Sequence, residues 1–325
     1  MNIAVIGGSG FLGSRLIRRF KDNNLDHKIF DKNVANDKCI FLDVTKKETL
    51  NSIKGSDVII NLAAVHRDDV RPISLYDDIN VQGAKNICDA AEAFKIKKII
   101  FTSSVAIYGF APLNTGEEGE PNYFNDYGRT KHLAEKVYQK WQLKDPDNRS
   151  LVIIRPTVIF GEGNRGNVFN LLNQIYSKKF IMFGSGKNVK SMAYVENVAA
   201  FIEYSTKFES GVNIFNYIDK PDLNMNELIS ISRKTLFNKE GVGVRLPKFL
   251  GILIGHFFDI LSFLLRRNLP ISSIRVTKFM SNSQFNSSIE ETSFKPPVKL
   301  SEGLQKTLVY EFLEDNAGKE VYETE

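Results

Sequence analysis

The sequence predicts an α/β protein, a doubly wound parallel sheet followed by a smaller, mixed C-terminal lobe. Three observations carry that expectation. Short apolar runs of strand length alternate with longer helical patterns through the first half of the chain, as in βα units whose sheet is covered on both faces. A glycine-rich turn stands directly after the first run. Beyond Arg155 the alternation fades into short helices interrupted by Gly161 to Gly166 and Gly184 to Gly186.

In chain order, strands are expected at Ile3 to Ile6, Lys28 to Phe30, Cys39 to Leu42, Asp57 to Asn61, Lys98 to Thr102 and Leu151 to Arg155, with a late one at Val212 to Tyr217. The helices between them fall at Phe11 to Asn23, Lys46 to Ser52, Ser74 to Phe94 and Asn125 to Leu143. Crossovers joining parallel neighbours should be right-handed. Residues 1–163, with return elements near 193–218, are assigned to the sheet domain and residues 164–325 to the second lobe. Asp315 to Glu325 reads as a frayed polar tail.

Composition narrows the class. Of 325 residues, 42% are hydrophobic and 25% charged, as in soluble globular proteins, which sets aside disordered and fibrous readings. Lys and Arg number 43 against 38 Asp and Glu, interspersed rather than gathered in a tract. The net charge of +5 is a mild bias towards anionic ligands, not a nucleic-acid footprint. Cys39 and Cys88 form neither a disulfide framework nor a metal-ligand spacing, so no metal is expected and a reducing cytosol is the default. Nothing resembling a secretory signal precedes the first strand. The 17 residues from Phe249 to Leu265 are mostly apolar, flanked by Lys248, Arg266 and Arg267 and interrupted by His256 and Asp259. That segment reads first as a buried or interface-packing helix, second as a membrane-surface helix and last as a span.

The turn after the first strand is Gly7-Gly8-Ser9-Gly10-Phe11-Leu12-Gly13, opening a helix. A helix N-terminus presents unpaired N–H groups and a positive dipole end, and residues without a Cβ let a pyrophosphate approach the backbone. Within a βα unit this is a dinucleotide (Rossmann) fingerprint. Asp31, 18 residues past Gly13, is placed to accept from the adenosine ribose hydroxyls and to repel a 2′-phosphate, which favours NAD over NADP. A solvated turn aspartate is the alternative, and Lys32 beside it keeps NADP open. Asp43 and Val44 fall near the adenine, with a helix-capping role for Asp43 equally consistent.

Tyr127 and Lys131 stand one helical turn apart on one face, so an ammonium near the phenol would lower its pKa from about 10. A tyrosinate could then take a hydroxyl proton while hydride leaves the same carbon. Ser104 ends a strand on the ligand-facing edge of an open parallel sheet and could hold the reacting oxygen against Tyr127. The run His66 to Arg71 should lie at that edge too, as a ligand contact or as an internally paired loop; His66 is given no catalytic role.

With these residues in place the sequence resembles the extended short-chain dehydrogenase/reductase family, especially its nucleotide-sugar epimerase and dehydratase branch. The resemblance rests on the Gly7, Gly10, Gly13 loop, Asn61-Leu62-Ala63-Ala64, Tyr76 to Asn86, Thr102-Ser103-Ser104 with Tyr108-Gly109, Tyr127-Gly128-Arg129-Thr130-Lys131 and Arg155-Pro156. Tyr194 to Asn197, Phe294 to Pro296 and Ser301 to Leu304 extend it towards the C-terminus. It implies Ser104, Tyr127 and Lys131 as catalytic residues. It implies cofactor contacts at Gly7, Gly10, Phe11, Leu12, Gly13, Asp31, Asp43, Val44, Leu62, Ala63, Ala64, Asn80, Tyr127, Lys131 and Arg155, with Lys131 on the nicotinamide ribose. Asn80 is implied as a helix-bending, proton-relay position, and a purely structural role fits as well. Substrate contacts are expected from Ser104, Ala106, Tyr127, Arg165, Asn167, Lys190 and Arg275.

Dehydratases and decarboxylating synthases that resemble this chain carry acidic residues where it has Val105 and Ala106. Neither side chain moves a proton, so dehydration is not expected. Reductase-epimerases carry a cysteine at the Ala106 position and are set aside likewise. The expectation is therefore an NAD-dependent epimerase acting by hydride transfer at C4 of a nucleotide-activated hexose, with an NADH-dependent 4-ketoreductase of a 4-keto-6-deoxy sugar nucleotide as the alternative. Val158 and Lys190 depart from the usual epimerase asparagine and arginine, and Lys190 lacks the bidentate fork of arginine. A reductase of an apolar substrate and a non-catalytic NAD sensor are the remaining readings. The resemblance further implies a homodimer through helices around Ser74 to Phe94 and Asn125 to Leu143, and a cytoplasmic enzyme feeding surface-polysaccharide biosynthesis. Peripheral membrane contact is left open by the apolar helix but is not the expectation.

Overall fold

The computed structural model describes residues 1–34, 37–67, 70–265 and 273–322. Seven strands build one parallel sheet: β1 (Ile3–Ile6), β2 (His27–Asp31), β3 (Cys39–Phe41), β4 (Val58–Asn61), β5 (Lys98–Thr102), β6 (Ser150–Pro156) and β11 (Gly211–Tyr217). Their order across the sheet is β11-β6-β5-β4-β1-β2-β3, as the alternation of strands and helices predicts. All four residues of β1 and all seven of β6 are buried, so β1 and the Leu151 to Ile154 stretch of β6 read as unbroken apolar runs because both faces are covered. Each fully buried Ile or Val contributes roughly 1.5–3 kcal/mol. Register sets the working edge: Ile6 lies beside Phe30 and Asn61, and Asn61 beside Phe101. The strand order reverses between β1 and β4, where the crevice of such sheets opens.

Helices α1 (Phe11–Asp22) and α6 (Val195–Ser205) cover one face, with Leu16, Phe20, Ala199 and Phe201 against Val5 and Ile60. Helices α2 (Ser74–Tyr76), α3 (Gly83–Ala93) and α4 (Asp126–Gln142) lie across the other, with Ile87, Ala91, Tyr138 and Trp141 against Ile59 and Ile99. The second lobe gathers α5 (Asn167–Tyr176), α7 (Met225–Phe237) and α10 (Leu300–Phe312) around Phe160, Met182, Tyr194 and Leu304. Its short strands pair as β7 (Val158–Phe160) with β10 (Met192–Tyr194), β9 (Val189–Lys190) with β12 (Leu223–Asn224), and β8 (Met182–Phe183) with β13 (Arg245–Leu246). Gly303 lets α10 lie on the Tyr194 ring, since a Cβ there would sit 2.6 Å from its Cγ. The remaining helices are α8 (Lys248–Leu265) and α9 (Ser273–Met280).

Four expectations are corrected. The helix at 46–52 is a 3-10 helix at Lys47–Ile53; the Thr49 hydroxyl donates to the Asp43 and Lys46 carbonyls just before it and the Ser52 hydroxyl to Thr49 O, which competes with α-helical pairing. The single helix at 74–94 is divided by a π turn, Asp77–Gln82. The tail is docked rather than frayed as far as Tyr322, residues 323–325 lying outside those described: Tyr322 N donates to Gly163 O at 2.8 Å, Arg165 N donates to Tyr322 O at 2.8 Å, and the Tyr322 ring stands 5.7 Å from that of Phe11. Finally, of the buried or interface-packing helix expected, the buried half is corrected: one face of α8, with Phe249, Leu253, Phe257, Ile260, Leu264 and Leu265, is exposed.

Candidate active site

A cavity of about 840 Å³ opens at the C-terminal edge of the sheet, between it and the second lobe. At one end Gly7, Gly10, Phe11, Leu12 and Gly13 line it, with α1 leading away. Gly7 has φ +80°, and a Cβ on it would sit 2.7 Å from Ala63 N. A Cβ on Gly13 would be 2.5 Å from Gly7 O. Both approaches are open to glycine alone. Gly10, the N-cap of α1, offers no side chain to its first turn, so those N–H groups are left for an anion.

Asp31 closes this end, its carboxylate accepting from Ser9 N at 3.0 Å and Asn33 N at 2.9 Å. Asp43 and Val44 line the cavity beside it. Burial would raise the Asp43 pKa, but hydrogen bonds from Thr45 and the nearby Lys32 outweigh it and leave the pKa lowered. Lys32 is paired with Asp43 at 3.6 Å, which engages the cation that kept a 2′-phosphate in contention. Leu62, Ala63 and Ala64 form the wall after β4.

At the opposite end the side chains converge. Ser104 follows β5 and caps the 3-10 turn Val105–Tyr108, its Oγ accepting from Ala106 N at 3.1 Å. Asn125 caps α4 through Gly128 N at 2.9 Å, placing Tyr127 in the first turn. A Cβ on Gly128 would lie 2.4 Å from Ala106 O, so this glycine lets α4 seat directly on the serine turn. Ser104, Tyr127 and Lys131 all line the cavity. Lys131 is 3% exposed; its Nζ donates to Thr102 O at 2.7 Å and stands 6.0 Å from the Tyr127 ring centre. Burial holds its pKa down to about 7, against the pull of Glu135. The neighbouring Thr102 Oγ1 and Ser103 Oγ are buried without a partner among the described residues. Unpaired polar atoms beside a buried amine mark a place for a polar ligand group.

Beneath this floor is a network that sequence reasoning missed. Arg155 is 5% exposed and makes paired bonds to Glu135 at 2.9 and 2.7 Å, a third to the Tyr108 hydroxyl at 2.6 Å and a fourth to Glu117 O at 3.0 Å. Tyr108 donates onward to Asn216 at 2.9 Å, and burial first of all pushes its pKa up to about 12. Arg155 therefore sits below the cavity instead of lining it, and ties α4, β6 and β11 together. The only available signal was Glu135 continuing the Tyr127, Lys131 spacing by another four residues. Asn80 is also absent from the lining: it is 5% exposed, exchanges hydrogen bonds with Val65 N and O at 2.9 and 3.0 Å and donates to Thr130 Oγ1 at 3.0 Å. It pins the π turn to α4 and to the loop after β4.

Ala106 and Asn167 line the sugar-facing end, together with Val105, Val158, Asn164, Phe124, Ser283 and Phe285, the last four contributed by loops that no motif flagged. Arg165 is corrected: it lies outside the lining, paired with Glu311 at 2.7 Å and stacked 4.1 Å from the Phe169 ring. Lys190 lies in β9 outside the lining, with its pKa lowered to about 8 by burial. His66 lines the cavity, whereas Asp68 and Asp69 lie outside the described residues. Arg275 belongs to α9, and its side chain is likewise outside them.

A reversed strand order, a glycine cradle under a helix N-terminus, and a Ser, Tyr and Lys set across the same cavity define an extended short-chain dehydrogenase/reductase. Residues 3–216 match the NAD dependent epimerase/dehydratase family, to which the chain belongs, and its cofactor is NAD. It is 46% identical over 319 residues, 96% of each chain, to the N-acetyl-alpha-D-glucosaminyl-diphospho-ditrans,octacis-undecaprenol 4-epimerase of Escherichia coli O157:H7. It is 26% identical to a decarboxylating sterol-4-alpha-carboxylate 3-dehydrogenase of Candida albicans, covering 94% of this chain and 96% of that one. The UDP-N-acetylglucosamine 4-epimerase structure from Bacillus cereus superposes with a TM-score of 0.75 at 19% identity, over 97% of this chain and 98% of that one.

Proposed function

We propose that this enzyme inverts C4 of a hexose activated through a diphosphate, with Tyr127 as the acid/base. The observation that carries the reading is the convergence of Ser104, Tyr127 and Lys131 on one cavity with the glycine cradle at its other end. When bound, NAD supplies the hydride acceptor and donor; Gly7, Gly10 and Gly13 would hold its pyrophosphate and Asp31 its ribose. Tyr127 takes the proton from the C4 hydroxyl and returns it after the sugar has turned over. Ser104 holds the oxygen in reach of Tyr127, and Lys131, buried beside Tyr127, stabilises the phenolate when protonated. Val105, Ala106 and Val158 line the sugar end without a titratable group, which supports epimerisation over dehydration.

A nucleotide-activated hexose fits this reading. The 46% identical relative favours one substrate in particular, an N-acetylhexosamine carried on a diphospho-polyprenol. We assign the enzyme on the same grounds to the cytosolic side of surface-polysaccharide biosynthesis, as a homodimer through the α3 and α4 region.

The test denatures the purified protein, identifies the released nucleotide, and assays native enzyme without added cofactor on a UDP-N-acetylhexosamine and on its polyprenyl diphosphate counterpart. Retained NAD, C4 inversion and no net redox change are expected. Tyr127→Phe should fold and keep NAD while losing roughly 10²–10⁴-fold in turnover. Full turnover by that variant, or net NADH oxidation against a 4-keto sugar nucleotide, would overturn the assignment.

A further inference from the structure

The outer face of α8 reverses the usual polarity of a surface helix. Phe249, Leu253, Phe257, Ile260 and Leu264 follow one another at steps of four, four, three and four, which sets them on one face, and each is 60–69% exposed. The inner face is thin: Gly251 and Gly255 are buried, and a Cβ on Gly251 would meet the Phe183 ring at 2.8 Å. A continuous apolar stripe of this kind marks an interaction surface.

The charge of the same region is equally one-sided. Residues 245–278 hold Arg245, Lys248, Arg266, Arg267, Arg275 and Lys278 against the single acid Asp259. Six of the 43 basic and one of the 38 acidic residues therefore fall in this segment, which accounts for the whole net charge of +5 and leaves the rest of the chain balanced. No described helix is long and apolar enough to cross a membrane. An exposed apolar face on a segment this basic in sequence, with Lys248 exposed at its start, suits a helix lying in the plane of an anionic bilayer.

Position links the face to the cavity. Helix α9 packs on α8 and ends at Met280, three residues before the cavity-lining Ser283. Asn188 Nδ2 donates to Phe279 O at 2.8 Å, and a Cβ on Gly184 would contact both Lys248 and Met280 at 3.7 Å. Helices α8 and α9 and the sugar end of the cavity thus belong to one packed unit.

We propose that the outer face of α8, on this basic segment of the sequence, docks the enzyme peripherally on an anionic bilayer and so presents the sugar end of the cavity to a substrate whose carrier stays in the membrane. The second half of that statement rests on the diphospho-polyprenol reading; the docking itself does not. A second copy is the poorer occupant, because a two-fold contact would bring two like-charged segments together.

Full-length protein is floated with vesicles of phosphatidylglycerol and phosphatidylethanolamine and, separately, of phosphatidylcholine alone, with no sugar substrate present. Binding to the anionic vesicles is expected, falling at least tenfold in the exposed-face variant Phe257→Ser/Ile260→Ser and also in Lys248→Glu, and weakening with salt. Retained NAD and unchanged melting show that the variants are folded. Turnover of a water-soluble substrate should be unchanged in both. Absence of wild-type binding, equal binding by both variants, or a Phe257→Ser/Ile260→Ser variant that loses only a dimer would each overturn the proposal. Because flotation needs no catalysis, failure of the substrate reading leaves this result legible.

Discussion

The two ends of the cavity are built by different means. The nucleotide end is made of backbone: Gly7, Gly10, Gly13 and the strand ends around them. The sugar end is made of side chains brought from distant loops, Phe124, Asn164, Ser283 and Phe285 among them. A site made of backbone has little tolerance, because a single added carbon must displace a peptide. A site made of side chains has slack, and can exchange one carrier or sugar for another while its cofactor end stays fixed. Conservation of chemistry and drift of substrate can then coexist in one fold.

The largest effect should come from the stiff end. Gly13→Ala drives a Cβ against Gly7 O, 2.5 Å away and part of the backbone; isothermal titration should show NAD affinity down by about 100-fold or more, since several kcal/mol of close contact must be relieved. A variant that bound NAD normally would break the comparison. Lys131→Met tests the junction of the two ends. With the Lys131 pKa lowered from 10.5 to about 7 by burial, the nucleotide-free folded state holds a proton less readily than the unfolded chain. Below pH 7 both states are protonated and the burial penalty is complete; from pH 7 to 10.5 it shrinks as the folded form gives up its proton. The methionine variant should thus be inactive yet melt roughly 5 °C or more above wild type at pH 6, the gain shrinking by pH 9 in thermal melts. The smallest effect belongs to the slack end: Val158→Ala, at a half-buried position lining the sugar site, should change KM for the sugar by only about two- to tenfold, because the methyl groups of a half-buried side chain are worth about 0.4–1.4 kcal/mol there. Steady-state kinetics showing a loss comparable to Gly13→Ala would mean that the sugar end is as rigid as the nucleotide end.

The same contrast decides what could be read in advance. Glycines after a strand, an aspartate ending the next, and a Tyr and Lys one turn apart are local patterns, and they carried the fold, the cofactor and the principal residues of the cavity. The Arg155, Glu135 and Tyr108 network is non-local, joining positions 20 and 47 residues apart, and an Arg-Pro pair read as a cofactor contact became a buried tie. Arg165, expected as a substrate contact, is paired instead with Glu311, on a helix far along the chain. The π turn follows from a side chain that bonds to a loop 15 residues earlier, which periodicity does not register. Helix α8 deceived for another reason: apolar residues predict burial only when something covers them, and hydropathy does not say what does.

The docked C-terminal segment has one more consequence. Contact between Tyr322 and Phe11 joins the two extremes of the described chain at the first turn of α1. In polymer terms it closes a ring of almost all the described residues. The entropic cost of such a closure rises only logarithmically with its length, so a few well-formed bonds suffice to keep it shut. The mouth of the nucleotide end is thereby a seam where Phe11 and Tyr322 are sewn together, and a disturbance around Tyr322 reaches the helix N-terminus that cradles the nucleotide.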